Sequence, residues 1–234
     1  MTERVKQQDG AVLFDVDGTL VDSNYLHVEA WGHAFADVGC PVDGWRIHRA
    51  IGLDSEKLLE TLLGSDASRL GEQAKNLHSE YYLKLQPRLR PFASARELLA
   101  ELDQRGITVV LATSAPEDEL AALREALKVE QSLTGVTSAD DVETAKPEPD
   151  VVQSALEKAG TEKDSTYFVG DTVWDVIASG RAGIRCIGVL SGGVSEAELR
   201  EAGAIAVYED VGQLLEKLDD SPLAALAPRR ASKQ

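Results

Sequence analysis

Cysteine is scarce. Cys40 and Cys186 are the only two among 234 residues, they lie far apart, and neither sits in a CxxC pair or beside a histidine spacing that suggests zinc. A disulfide scaffold and a structural zinc site are therefore excluded, and both thiols are expected to stay reduced. No apolar run reaches the roughly eighteen residues that a membrane-spanning helix requires. The opening stretch MTERVKQQDG is polar and lacks the apolar core of a secretory signal, so a cytoplasmic protein with no membrane attachment is expected. Basic residues are also short: 24 Lys and Arg face 40 Asp and Glu, a formal charge of -16. Phosphate backbones are held by clustered cations, so general nucleic-acid binding is excluded. A small phosphorylated ligand is not, because one metal ion and one lysine reverse the field locally.

What the chain does have is alternation. Apolar, β-branched runs recur at Ala11 to Phe14, Ile107 to Ala112, Tyr167 to Val169, Ile184 to Leu190 and Ala204 to Val207. They do not alternate with polar residues, as strands buried on both faces would not. Between them lie helical stripes: Phe92, Ala95, Leu98, Leu99 and Leu102; Leu120, Leu123 and Leu127; Val151, Val152, Ala155, Leu156 and Ala159. Ser195 and Glu198 have the spacing of a capping box. Strand and helix in turn imply right-handed βαβ units, hence an α/β fold with a Rossmann-like parallel sheet and helices on both faces. One segment breaks the pattern. From Tyr25 to Gln86 there are only helical stripes, Leu26, Ala30, Trp31, Ala34 and Val38, then Leu70, Ala74, Leu77, Tyr81 and Leu85. An all-helical cap is therefore expected at 23–87, inserted into a catalytic core of 1–22 and 88–220, with 221–234 as a flexible tail.

In an open parallel sheet the reactive site lies beyond the carboxyl ends of the strands. Four stretches put reactive groups there: Asp15-Val16-Asp17-Gly18-Thr19, Thr113-Ser114, Lys146-Pro147, and Gly170-Asp171 with Asp175. Singly, each has an ordinary structural role. An aspartate after a strand turns the chain or caps a helix, Thr113 alone reads as a helix cap, and Lys146 alone as a solvated lysine. In this order and context, from about Ala11 to Leu215, they resemble the haloacid dehalogenase-like superfamily, in the phosphoglycolate phosphatase and β-phosphoglucomutase branch with a small helical cap.

The resemblance implies a magnesium-dependent phosphatase for a small phosphorylated metabolite, acting as a monomer or homodimer. Asp15 is then the nucleophile that forms an aspartyl-phosphate, and Asp17 the acid that protonates the leaving alkoxide and later activates water. The acid role requires Asp17 to be protonated part of the time, which burial or a nearby carboxylate favours. Gly18 permits the turn between the two aspartates and lies against the substrate. Asp15 and Asp171 supply carboxylates to magnesium, and Asp17 its backbone carbonyl, with Asp175 holding a metal-bound water from the second shell. Lys146 offsets repulsion between nucleophile and phosphate. Thr113, and the Ser114 N–H at a helix start, bind phosphoryl oxygens. His27, Arg46, His48, Arg49 and Lys57 are cap residues that could face the substrate.

Two other enzyme classes follow from the same resemblance. A β-phosphoglucomutase-like phosphotransferase fits the spacing from Asp17 to His27 and Trp31, but Ser55 stands where the mutase has its arginine. A dehalogenase needs no metal and lacks the second aspartate, so Asp17, Asp171 and Asp175 speak against it. A binding module without catalysis would have lost a catalytic residue, and none of the matched positions departs from the pattern.

Overall fold

A computed structural model describes residues 10–141, 144 and 146–226. In chain order its elements are β1 (Ala11–Phe14), α1 (Asn24–Asp37), α2 (Gly44–Ala50), α3 (Ser55–Leu63), α4 (Ala67–Leu85), α5 (Ala95–Gln104), β2 (Thr108–Leu111), α6 (Glu117–Leu127), β3 (Gly135–Val136), α7 (Asp150–Ala159), β4 (Thr166–Gly170), α8 (Val173–Ala182), β5 (Arg185–Val189), α9 (Glu196–Ala202), β6 (Ala206–Tyr208) and α10 (Val211–Glu216), with short 3-10 turns between some of them. The sheet has six strands in the order β3-β2-β1-β4-β5-β6, and every pairing is parallel. The doubly wound sheet is the α/β fold the alternation implies. The chain order reverses between β1 and β4, so the crevice above those strand ends is the natural binding position.

The runs of apolar residues have the expected cause. All four residues of β1 are buried, with Val12 and Phe14 in one core layer and Leu13 in the other. Leu98, Leu99 and Leu102 of α5 cover the first layer, and Val151, Val152 and Ala155 of α7 cover the second. Ser195 and Glu198 make both bonds of a capping box at α9. β3 escapes a periodicity reading because it is two half-buried residues at the sheet edge.

Between β1 and α5 the regular structure is helical throughout. Trp31, Ala34 and Phe35 of α1 pack with Ile47, Leu58, Leu59, Leu62, Leu70 and Ala74 in a core separate from the two sheet layers. The buried stripe of α4 is Leu70, Ala74, His78 and Tyr82, rather than the expected line through Leu77, Tyr81 and Leu85. Its third position is a histidine, stacked on Trp31 at 4.2 Å between ring centroids, which a hydrophobic count passes over. The tail is a second correction. Pro222–Leu226 forms a 3-10 helix, with Leu223 and Leu226 buried in the core layer of Val12 and Phe14. Two leucines find apolar area there, so the chain is held to that point. The expected tail beyond Leu226 lies outside the described residues.

Gly170, at the end of β4, is a packing test of this frame. A Cβ there would lie 2.6 Å from both Cβ and Cγ of Asp175, and neither strand nor helix can yield without moving the strand ends. Gly170→Ala is expected to destabilise the protein by about 1–3 kcal/mol, read as a lowered urea midpoint; an unchanged midpoint would show that α8 sits more loosely on β4 than this packing implies.

Candidate active site

After Phe14 the chain leaves β1 by a closed loop. The Leu20 and Val21 N–H groups both donate to Val16 O, at 2.9 and 3.0 Å, which turns Asp17 through Thr19 outward over the strand end. Gly18 has φ +78, and a Cβ there would stand 2.2 Å from Asn24 Nδ2 and 2.5 Å from Asp171 Oδ2, so conformation and contact both demand glycine. Its expected contact with substrate is not what the geometry shows: Gly18 backs onto Asp171 and does not line the cavity described below.

Asp171 follows β4 and is wholly buried. Thr19 Oγ1 donates to its Oδ1 at 2.8 Å and Asn24 Nδ2 to its Oδ2 at 2.8 Å, fixing the carboxylate from the first loop and from the start of α1. At the head of α8, Asp175 and Thr172 cap reciprocally, with Asp175 Oδ2 accepting from Thr172 N at 2.9 Å and from its hydroxyl at 2.6 Å. The other Asp175 oxygen is 2.6 Å from Lys146 Nζ, and the same ammonium bonds to Asp15 Oδ1. Lys146 therefore bridges Asp15 and Asp175.

Asp15, Asp171 and Asp175 offer oxygens that lie within 4.8 Å of one another, all buried. Three carboxylates against one ammonium leave an excess of negative charge out of water. Burial, with the Asp175 and Asp17 charges and only partly opposed by Lys146, pushes the Asp15 carboxyl up to about 7. Burial and the two neighbouring carboxylates push Asp171 well above its ordinary value. An all-oxygen donor set with surplus charge fits a hard divalent cation such as magnesium. Asp17 enters differently from its neighbours. Its carboxylate turns away from the cluster and its carbonyl oxygen accepts no hydrogen bond among the described residues, so it could contribute only through the main chain. Asp175 belongs to the cluster itself.

The Asp17 side chain is also differently charged from the expectation. Its Oδ1 accepts from Ser23 Oγ at 2.5 Å and lies 3.4 Å from His27 Nε2. Burial alone would raise its carboxyl, but the His27 and Ser23 bonds and the His27 charge outweigh that and hold it below the ordinary value. Burial lowers His27, yet the bond and charge of Asp17 outweigh it and raise the imidazole. Both shifts favour the ion-paired form, with the proton on His27 rather than on Asp17. His27 Nδ1 lies 3.1 Å from His78 Nε2, and burial together with the His27 charge drives His78 well down. A neutral His78 accepts what a charged His27 donates.

A cavity of about 340 Å³ opens above Asp15 and Asp17, with Thr113, Ser114 and Lys146 on the sheet side and His27, Ile51, Ser55, Lys75 and His78 on the helical side. Thr113 Oγ1 accepts from Ala115 N at 3.0 Å and its own N–H is taken by Thr137 Oγ1 at 2.9 Å, which leaves the hydroxyl proton for a ligand. Ser114 precedes the start of α6 by three residues, because Pro116 delays the helix to Glu117; it lines the cavity from a loop, not from a helix terminus. His48, Arg49 and Lys57 do not line it. They meet Gly192 O at 2.8 Å, Glu198 at 2.5 Å and Glu148 at 2.9 Å, tying α2 and α3 to the sheet. Arg46 does not line it either. Asn24, Lys75, His78 and Glu119 are lining residues that the motifs do not reveal.

Residues 12–189 match the family model described as haloacid dehalogenase-like hydrolase. The chain belongs to the haloacid dehalogenase-like hydrolase family. A phosphoglycolate phosphatase of Yersinia pestis is 32% identical over 77% of this chain and 81% of that protein. A validoxylamine A 7'-phosphate phosphatase of Streptomyces hygroscopicus subsp. limoneus is 29% identical over 82% of this chain and 91% of that protein. The crystal structure of a hydrolase from Pseudomonas syringae is 36% identical, with a TM-score of 0.85, covering 91% of this chain and 99% of that one. With the family, these relatives make the chain an enzyme, a phosphatase. No helix among the described residues is long and apolar enough to cross a membrane.

The electrostatics give a pH test. A carboxyl raised on folding binds more protons in the folded state, so its stabilising contribution is complete at low pH and is lost as pH rises through its folded value. Asp15, raised to about 7, Asp171 and His27 act in this direction; the single lowered histidine, His78, opposes them toward lower pH but is outnumbered. In excess EDTA the melting temperature is expected to fall from about pH 5 to about pH 8, and added magnesium to raise it more at the higher pH. An equal magnesium increment at both ends would contradict the charge imbalance.

Proposed function

We propose that the chain is a magnesium-dependent phosphatase that hydrolyses a small phosphorylated metabolite through an aspartyl-phosphate on Asp15, under a cap formed by residues 23–87. The observation that supports it most is the convergence of Asp15, Lys146, Asp171 and Asp175 on one buried cluster at the floor of the cavity.

Asp15 Oδ1 is engaged by Lys146, and its other oxygen is the candidate nucleophile toward a phosphoryl group lying in the cavity. Lys146, Thr113 and the Ser114 N–H place positive charge and donors around phosphoryl oxygens, whose charge is what phosphoryl transfer must stabilise. Asp15, Asp171 and the Asp17 carbonyl would hold magnesium, with Asp175 as the nearby fourth oxygen donor; the ion, when bound, neutralises charge between carboxylate and phosphate. Asp17 Oδ2 is free of the Ser23 and His27 contacts, so it can face the leaving oxygen; a proton carried on Oδ2 passes to the leaving alkoxide and leaves Asp17 as the carboxylate. In the second half-reaction Asp17, ionised, can take a proton from the attacking water.

The mutase alternative loses its second anion site. Ser55 replaces the expected arginine, Arg49 is paired with Glu198, and neither Arg46 nor Arg49 lines the cavity. The relatives named above differ in the alcohol they release, so the family does not fix the leaving group.

Asp15→Asn is expected to lower kcat toward any phosphomonoester by about a thousandfold or more with the melting temperature retained. Near-native turnover would remove Asp15 as nucleophile. Asp17→Asn should cost an alkyl phosphate about ten to a hundred times more than p-nitrophenyl phosphate, whose leaving group needs no proton; equal losses would remove its acid role.

A further inference from the structure

The residues used so far occupy the floor of the cavity. Its upper part, beneath α4 and the Ile51 to Ser55 loop, is where the alcohol portion of an ester would lie, and it contains a charged group without a task. Glu119, in the first turn of α6, lines the cavity and is 9% exposed. Helical phase puts it there: Leu120, Leu123 and Leu127 face the core, while Glu117 and Asp118 face solvent. Its main-chain N–H donates to Asp118 Oδ1 at 3.0 Å, but among the described residues its carboxylate has no hydrogen bond and no ion pair. The carboxylate oxygens are not sealed in the protein; they open to the cavity the residue lines, where water or a group of the ligand bonds them. Burial also raises the Glu119 carboxyl, helped by the Asp17 and Asp118 charges and opposed by His27 and Lys75.

The surrounding charges decide what that partner is. On the cap side Lys75 is the one further cation lining the cavity among the described residues, and it is exposed. His27 is already engaged by Asp17. Asp54 adds a second carboxylate while capping α3. No arginine lines the space among the described residues. A carboxylate or a second phosphate on the leaving group would meet Glu119 with one solvated lysine to compensate, whereas hydroxyl or ammonium groups would satisfy it.

We propose that Glu119 selects the leaving group, so that the enzyme prefers phosphomonoesters whose alcohol portion presents hydrogen-bond donors, hydroxyl or ammonium, over those that carry a carboxylate or a second phosphate. This rests on the phosphatase reading above and adds the class of alcohol released.

Three esters of nearly one size separate the cases: 2-hydroxyethyl phosphate, 2-aminoethyl phosphate and phosphoglycolate, assayed with magnesium for kcat/KM. Native enzyme is expected to favour the two donor-bearing esters over phosphoglycolate by about tenfold or more, and Glu119→Gln to shrink the aminoethyl-to-glycolate ratio by about tenfold. A ratio cancels any general loss of folding or chemistry, which a merely structural glutamate would produce. Phosphoglycolate equal to or better than the others, or a ratio unmoved in the variant, overturns the proposal. Failure of every ester, p-nitrophenyl phosphate included, strikes the hydrolytic reading instead. Calorimetric binding of the three esters to Asp15→Asn protein then decides selectivity without turnover: about tenfold tighter binding of the donor-bearing esters supports it, and equal binding overturns it.

Discussion

The buried ammonium of Lys146 is the contact on which the site depends. Only 5% of the residue is exposed, and an unpaired charge at that depth would be far too costly to keep. Asp15 and Asp175 bracket it, and although burial opposes its charge, the two carboxylates raise its pKa well above the ordinary value. In meeting both, it holds the segment before α7 to the end of β1 and to the first turn of α8, which follows β4, so a segment remote in sequence is fixed to two places at once. The same pairing leaves Asp171 without a cation of its own, since Thr19 and Asn24 give it hydrogen bonds but no charge. The lysine makes the cluster possible and leaves it one cation short.

That loop also meets the helical segment. The Asp54 N–H donates to Lys146 O at 3.0 Å, and Glu148 receives Lys57 from one side and Arg181 from the other. On the opposite flank His48 reaches Gly192 O. Gly192 is itself pressed on Asp171, where a Cβ would come within 1.7 Å of Oδ2. Gly52 rests on Thr172 and Trp174, the cap of the helix that carries Asp175. Several of these contacts land on or beside the residues of the cluster: Asp54 on Lys146, Gly52 on the helix that carries Asp175, and His48 on Gly192, which presses on Asp171. Exposed ion pairs such as Arg49 with Glu198 add little stability individually; their effect here is positional.

Much of this was legible in the sequence for a simple reason. Asp15, Asp17 and Asp171 stand at or just past the ends of apolar runs that can only be buried strands, and Asp175 one helical turn further, so strand order brings them to one edge. What was not legible depends on helical phase and on polar residues inside apolar stripes. His78 looks like a break in the α4 stripe and is in fact stacked between Trp31 and Tyr82. Asn24 is an ordinary first residue of α1 until Asp171 is seen beside it. Glu119 belongs to an acidic first turn that suits the helix dipole, and nothing in Glu117-Asp118-Glu119 says that the third member faces inward. Pro116 moves the start of α6 past Ser114, a shift of the size at which helix boundaries are hard to read.

Asp17 shows why a residue's type is a weaker guide than its partners. A buried carboxylate near Asp15 should be reluctant to ionise, and on that ground alone it would carry the proton that an acid needs. Ser23 and His27 reverse the balance by bonding to one of its oxygens, lowering the carboxyl and raising the imidazole. In the proposed mechanism the protonation of the acid is therefore set by the pair rather than by the carboxyl alone. His78, neutral and stacked in the same column of rings, accepts from the far side of His27 and so fixes the direction in which the near side donates. Asp17 meanwhile keeps the charged form required to receive a proton from water. On the proposed reading, giving up a proton as acid leaves Asp17 in the ionised form its base role needs, and Ser23 and His27 at the head of α1 hold that form.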